Sequence, residues 1–190
     1  MRIKEERMRT FLALPIREDV RKKVNSFVKE VSKRIKSKVK WVEEENLHFT
    51  IFFFGEIDKR EVERIESVIK EKTHLLKKFN VRLNGLSFFP NERRVRVVWI
   101  GVKEGGEEMK SIYEALYPEF SRFLKIRKEN FVPHLTIGRA KFGLSDSEVK
   151  LLKDGNLITP LFKMDRLILF ESKLTPNGPI YTPLRTFLFK

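Results

Sequence analysis

Apolar residues recur along this chain at two different periods, and the order in which those periods alternate limits its fold more than any single residue does. Short apolar or alternating runs read as strands over Met8 to Ile16, Val39 to Val42, Leu47 to Phe54, Phe79 to Phe88, Arg94 to Val102, Phe131 to Ala140, Phe162 to Glu171 and Tyr181 to Phe189. Helical spacing runs from Arg17 to Lys36, where Val20, Val24, Phe27, Val28, Val31 and Ile35 share one face. A second helix opens at Asp58, with Glu61 completing a capping-box pattern and Val62, Ile65, Val68 and Ile69 turned inward. A third starts at Gly105-Gly106, and a short fourth covers Ser145 to Asp154. A Pro176-Asn177-Gly178-Pro179 turn joins the last two strands. The order β-α-β-β-α-β-β-α-β-α-β-β predicts an α+β fold rather than a doubly wound βαβ chain. No low-complexity linker divides it, so residues 1–190 read as one domain.

Composition removes several classes. Seventeen Phe in 190 residues exclude a disordered chain. The absence of Cys excludes disulfides, thiolate metal sites and Cys nucleophiles. Met1 to Arg7 contain no apolar stretch of a secretory signal, and the run Ile51 to Phe54 is far too short to cross a bilayer. A soluble cytoplasmic protein, expected to be a monomer, follows. Lys and Arg outnumber Asp and Glu by 40 to 26. A charge-rich surface accounts for the abundance of both signs but not for the excess of one, which favours a polyanionic partner such as nucleic acid.

Of three His, two sit in matching tetrapeptides 86 residues apart, His48-Phe49-Thr50-Ile51 and His134-Leu135-Thr136-Ile137. With eight Thr in the chain, such a coincidence has a chance on the order of half a per cent, so the pair is treated as a signal. Both lie on predicted strands, where residues two apart project to the same side. Each copy therefore presents an imidazole and a hydroxyl together and turns its apolar residues to the core. Two such strands brought face to face would offer two imidazoles to divide base and acid roles in phosphoester cleavage. Thr50 and Thr136 would donate to phosphate oxygens. His74, in Lys72-Thr73-His74-Leu75, lacks the Thr and reads as structural or solvent-facing. A metal centre would want a further ligand where Thr stands, so none is expected. Arg139 follows His134 by five residues and on an unbroken strand would face away, unless a bend at Gly138 turns it back.

These motifs lie in a wider set. Arg9-Thr10-Phe11-Leu12-Ala13-Leu14, Trp41-Val42, Glu45-Asn46-Leu47-His48-Phe49-Thr50, Phe54-Gly55-Glu56, Gly85 to Pro90, Val97 to Val102, Pro133 to Arg139, Leu169 to Ser172 and Gly178 to Tyr181 come in a fixed order. In that order the chain resembles, over nearly its whole length, the two-histidine (2H) phosphoesterases of the RNA 2′,3′-cyclic phosphodiesterase or 2′-5′ RNA ligase-like branch. The resemblance implies two pseudo-symmetric lobes, each an antiparallel sheet with helices on its outer face, flanking a central groove. It implies hydrolysis of RNA 2′,3′-cyclic phosphate ends, tRNA fragments among them, to 2′-phosphates without metal or nucleotide cofactor, and weak reverse 2′-5′ ligation. His48 and His134 would be the acid/base pair, and Thr50, Thr136 and Arg139 the phosphate ligands. The two His are near-symmetric; His48 is taken as the acid and His134 as the base. A cyclic phosphodiesterase acting on small nucleotides, or a non-catalytic RNA-end-binding protein, are the alternatives. Phe49 and Phe52-Phe53 make the first motif more aromatic than is usual in that family, and the first seven residues resemble an extension.

Overall fold

The computed structural model describes residues 6–155, 157–176 and 178–190. Strand β1 (Met8–Pro15) organises the first sheet: Thr10 to Leu14 are all buried, which requires a neighbour on each side and cover on both faces. Those neighbours are β3 (His48–Ile57) and β8 (Arg166–Thr175), and β9 (Gly178–Leu188) completes the antiparallel order β3-β1-β8-β9. The second sheet has the order β2-β6-β5-β4-β7, from β2 (Val39–Trp41), β4 (Phe79–Phe89), β5 (Val97–Glu104), β6 (His134–Ala140) and β7 (Phe162–Met164). The halves of the chain are interleaved. β2 leaves the N-terminal half to pair with β6, while β8 and β9 return from the C-terminus to finish the first sheet.

Helices α1 (Glu18–Ser32), α2 (Lys59–Glu71), α3 (Gly106–Ser121) and α4 (Asp146–Asp154) bury the faces that their apolar spacing marks out. Leu12 and Phe49 of the first sheet and Ile100 and Leu135 of the second belong to one contiguous buried cluster. The fold is the expected pair of antiparallel sheets with four helices. No helix among the described residues is long and apolar enough to cross a membrane.

The α2 cap forms both of its reciprocal bonds, Glu61 N–H to Asp58 Oδ1 at 2.9 Å and Asp58 N–H to Glu61 Oε2 at 2.8 Å. Six boundaries differ from the sequence expectation. Helix α1 stops at Ser32, and Ile35 packs on the core from the segment that follows. Gly55 does not end β3 but holds a φ of 72° beside a bulge, and the strand continues to Ile57. Residues Glu92–Arg94 form a 3₁₀ turn capped by the Asn91 side chain, and Phe131 to Pro133 precede β6, so β5 and β6 start late. The expected strand Phe162 to Glu171 is two strands, split at Asp165 and assigned to different sheets, because continuous apolar patterning does not register a change of sheet. Strand β9 begins already at Gly178; Asn177 of the expected turn and the first five residues of the N-terminal extension lie outside the described residues.

One buried carboxylate positions the edge of the second sheet. Glu148, 7% exposed in α4, accepts hydrogen bonds from Lys36 N–H (2.7 Å), Ser37 N–H (2.8 Å) and the Ser37 hydroxyl (2.7 Å), just before β2. Burial pushes its pKa up, but the hydrogen bonds from Ser37 and Ser145 outweigh that and hold it at about 2.

Candidate active site

Each His-x-Thr strand carries a β-bulge at the fourth motif residue. On β1, Ala13 pairs with Thr50 and Leu12 with Phe52, leaving Ile51 unpaired; on β5, Trp99 pairs with Thr136 and Val98 with Gly138, leaving Ile137 unpaired. A bulge slips the side-chain alternation by one residue. The fifth residue after each His therefore returns to the face of that His: Phe53 in β3 and Arg139 in β6. This corrects the expectation of a bend at Gly138. That glycine serves a close approach instead, since a Cβ there would lie 2.8 Å from Cε3 of Trp41 and 2.9 Å from Cγ1 of Val39. The bulged Ile137 carbonyl accepts from Val42 N–H at 2.9 Å, so the irregularity leaves no orphan acceptor.

The two strands face a common cavity of about 460 Å³, and His48, Thr50, His134, Thr136 and Arg139 all line it. The imidazoles are held alike. His48 donates its Nδ1–H to the Asn46 carbonyl and His134 its own to the Val132 carbonyl, both at 2.7 Å and both two residues upstream. A carbonyl only accepts, so Nδ1 carries the hydrogen and Nε2 of each neutral ring is left with its lone pair. Each ring sits among aromatics. His48 lies 4.8 Å from the Phe11 centroid and 5.4 Å from that of Tyr181, while His134 lies 5.0 Å from Phe89 and 5.7 Å from Trp99.

Beyond this frame the two sites diverge. The Nε2 of His48 accepts from the Thr50 hydroxyl at 3.0 Å. For His134 Nε2 no protein partner is found among the described residues. Burial, aided by the positive charge of Arg139 and by His134, drives the pKa of His48 down to about 4 against the hydrogen bond to Asn46. His134 is also lowered, first by burial and then by Arg139. With both rings disposed to be neutral, the site is built around two lone pairs beside a guanidinium.

Sequence and structure comparisons give the family of the chain. The profile of the family described as LigT-like phosphoesterase matches residues 14–99 and again residues 100–181, one His-x-Thr strand in each. The chain belongs to the LigT-like phosphoesterase family. A Thermotoga maritima protein named RNA 2′,3′-cyclic phosphodiesterase is 35% identical over 177 residues, 93% of each chain. An Archaeoglobus fulgidus protein of the same name is 37% identical over 180 residues, 95% of this chain and 99% of its own. Among solved structures, Escherichia coli LigT complexed with 3′-AMP superposes with a TM-score of 0.78 over 97% of this chain and 99% of its own, at 18% identity, a likeness of fold. The family resemblance drawn from the motifs is thus borne out.

In this LigT-like phosphoesterase, the cavity residues that escaped the sequence reading include Arg9, Phe53, Lys40 and Tyr181. The Arg9 guanidinium lies 4.6 Å from the Phe53 ring centroid, a cation–π contact at the mouth of the first lobe. Phe53 had a readable signal, the same offset from His48 that Arg139 has from His134. Arg9 alternates with Phe11 and Ala13 along β1, but only the pairing partners of β1 decide which face of that strand meets the groove. His74 is exposed in a 3₁₀ turn, its Nδ1–H on the Glu71 carbonyl at 3.1 Å, and takes no part in the cavity. Among the described residues no cluster of three or more His, Cys, Asp or Glu could hold a metal ion.

Proposed function

We propose that this LigT-like phosphoesterase hydrolyses RNA 2′,3′-cyclic phosphate ends to 2′-phosphates, with His48 and His134 as its proton-transfer pair and no metal in the reaction. The reading treats residues 1–190 as one bilobal, monomeric, cytoplasmic enzyme. The observation that carries it is the pair of imidazoles, each fixed through Nδ1 by an upstream carbonyl so that Nε2 is the reactive nitrogen toward one cavity. The names of the Thermotoga and Archaeoglobus relatives support the same substrate.

In the forward reaction water attacks phosphorus in line with the P–O3′ bond. One imidazole takes the water proton as the P–O bond forms, and the other delivers a proton to O3′ as P–O3′ breaks. Thr50, Thr136 and Arg139 hold the phosphate oxygens while charge develops on them. The asymmetry of the site supports His48 as the base and His134 as the acid, the reverse of the assignment taken from sequence. His48 is the ring kept neutral by burial and by an accepted Thr50 bond. His134 has the unengaged Nε2, and the incoming phosphodiester anion favours its protonated form. With an RNA 5′-hydroxyl in place of water as the nucleophile, the same steps form a P–O5′ bond, break P–O3′ and leave a 2′-5′ linkage beside a free 3′-hydroxyl.

The deciding experiment is hydrolysis, in EDTA, of an oligoribonucleotide ending in a 2′,3′-cyclic phosphate, with the position of the product phosphate assigned. A 2′-phosphate that disappears in both His48→Ala and His134→Ala supports the reading. Activity that survives both substitutions overturns it, and salt-sensitive RNA binding without turnover would favour an RNA-end-binding protein.

A further inference from the structure

Strand β2 meets β6 with cation opposite cation. Lys40 pairs directly with Arg139, and two residues along each strand the pattern repeats, Lys141 N–H donating to the Lys38 carbonyl at 2.9 Å. All four side chains are exposed. Like charges directly opposite one another destabilise an antiparallel pair, and none of the four has an ion-pair partner among the described residues. Elsewhere exposed cations do find carboxylates, as in Lys22–Glu18, Arg82–Glu104 and Lys153–Glu92. The block is continuous with the active-site cavity, because Lys40 and Arg139 also line it. At its far end Phe142 is 78% exposed, the largest exposure among the large apolar side chains, with Lys141 Nζ 5.1 Å from its ring centroid. Arg96 donates to the Lys141 carbonyl at 2.6 Å and adds a fifth cation behind it. An unpaired basic strip ending in an exposed aromatic ring has the composition of a single-stranded nucleic-acid track.

The chemistry of the substrate says which strand would lie there. A 2′,3′-cyclic phosphate occupies both ribose hydroxyls of the terminal nucleotide, so the rest of the RNA continues only through its 5′ oxygen. We infer that Lys38, Lys40 and Lys141 bind the phosphates 5′ of the terminal nucleotide and that Phe142 stacks on an upstream base, making the substrate a single-stranded RNA of several nucleotides. Rows two residues apart along a strand are spaced by roughly 6–7 Å, comparable to successive phosphates of an extended chain. This inference rests on the cyclic phosphodiesterase reading and adds the substrate's length and path to it.

The test compares a mononucleoside 2′,3′-cyclic phosphate with a tetranucleotide bearing the same end, on wild-type protein, Lys38→Gln/Lys141→Gln and Phe142→Ala. The expected result is a wild-type kcat/KM higher for the tetranucleotide. The double variant should lose about 10-fold on the tetranucleotide and nothing on the mononucleotide. Its salt slope should shrink by about 1.4, from roughly 0.7 per phosphate contact on a single strand. Phe142→Ala should lose about 5-fold or more on the tetranucleotide with the salt slope unchanged. The melting temperature of the double variant should hold or rise, since it removes a like-charge pair. Equal effects on both substrates, or none on either, would overturn the track while leaving the hydrolase reading intact. A wild-type protein that hydrolyses neither substrate would remove the hydrolase reading, and the track with it.

Discussion

The strands β3 and β6 are the same device built twice with different residues at one position. Both bring a His and a Thr to the groove, both tie Nδ1 to the carbonyl two residues upstream, and both bulge at the following Ile. The bulge then delivers Phe53 to the groove in one strand and Arg139 in the other. In the first lobe the guanidinium comes from Arg9 on the neighbouring strand, laid over Phe53. The backbone frame is symmetric, and the chemistry is made asymmetric by what fills the slot after the bulge. A deeper, Thr-bonded His48 and a His134 with an unengaged Nε2 next to Arg139 suit unlike roles, as proton transfer from water to a leaving group requires.

The most severe way to break that comparison is to remove each imidazole separately. His48→Ala and His134→Ala should each lower kcat by at least about 10²-fold, and kcat/KM measured from pH 4 to 9 should separate them. Loss of His48 should erase the acidic limb of the wild-type bell and loss of His134 the alkaline limb; the opposite pattern would restore the sequence-based assignment. Because both pKa values are lowered, the wild-type bell should centre below the ordinary imidazole value of 6.5. The slot residues come next. Arg139→Gln should cost about 10²-fold in kcat, as loss of a group that stabilises transition-state charge does. Phe53→Ala should act on KM by about 5-fold or more, as loss of one stacking contact does; equal effects on kcat would mean that the two slots do the same work.

A smaller effect concerns folding. His48 has an ordinary pKa of 6.5 and falls to about 4 in the folded protein. The unfolded chain therefore binds the extra proton first, and stability is lost as pH falls from 6.5 towards 4. The loss amounts to about 3 kcal/mol at the lower end. Melting temperatures at pH 7 and pH 4 should fall further apart in wild type than in His48→Gln, and equal falls would show that burial of His48 is not the cause. The smallest effect is the most discriminating between the hydroxyls. Thr50→Val removes a bond to neutral His48 and should move the acidic limb of kcat/KM upwards by a fraction of a pH unit, whereas Thr136→Val should leave that limb in place.

Much of the site was legible because a two-residue period is a local property. His48 with Thr50 and His134 with Thr136 needed only a strand to reach a common face, and the apolar runs around them left little else for those segments to be. The cap at Asp58 was equally local, as its reciprocal bonds are made within three residues. Arg139 was harder. Its offset of five is wrong for a regular strand, and the Ile137 bulge that corrects it exists only against the partner β5. The break at Asp165 was hidden for a similar reason, since β7 and β8 are both apolar enough to be buried and differ only in which sheet buries them.

By itself, then, the sequence determined the α+β class, the four helices and their inner faces, the paired imidazole–hydroxyl motifs and the family. All of these follow from residue type and spacing within a few residues. Tertiary structure alone decided that β2, β8 and β9 cross between the halves, that Arg9, Lys40 and Tyr181 join the cavity, and that Phe53 and Arg139 occupy equivalent places. It also set the depth that separates one imidazole from the other. The physical reason is range: a side chain's face is set by its own strand, but its neighbours, its burial and its proton affinity are set by residues far away in the chain.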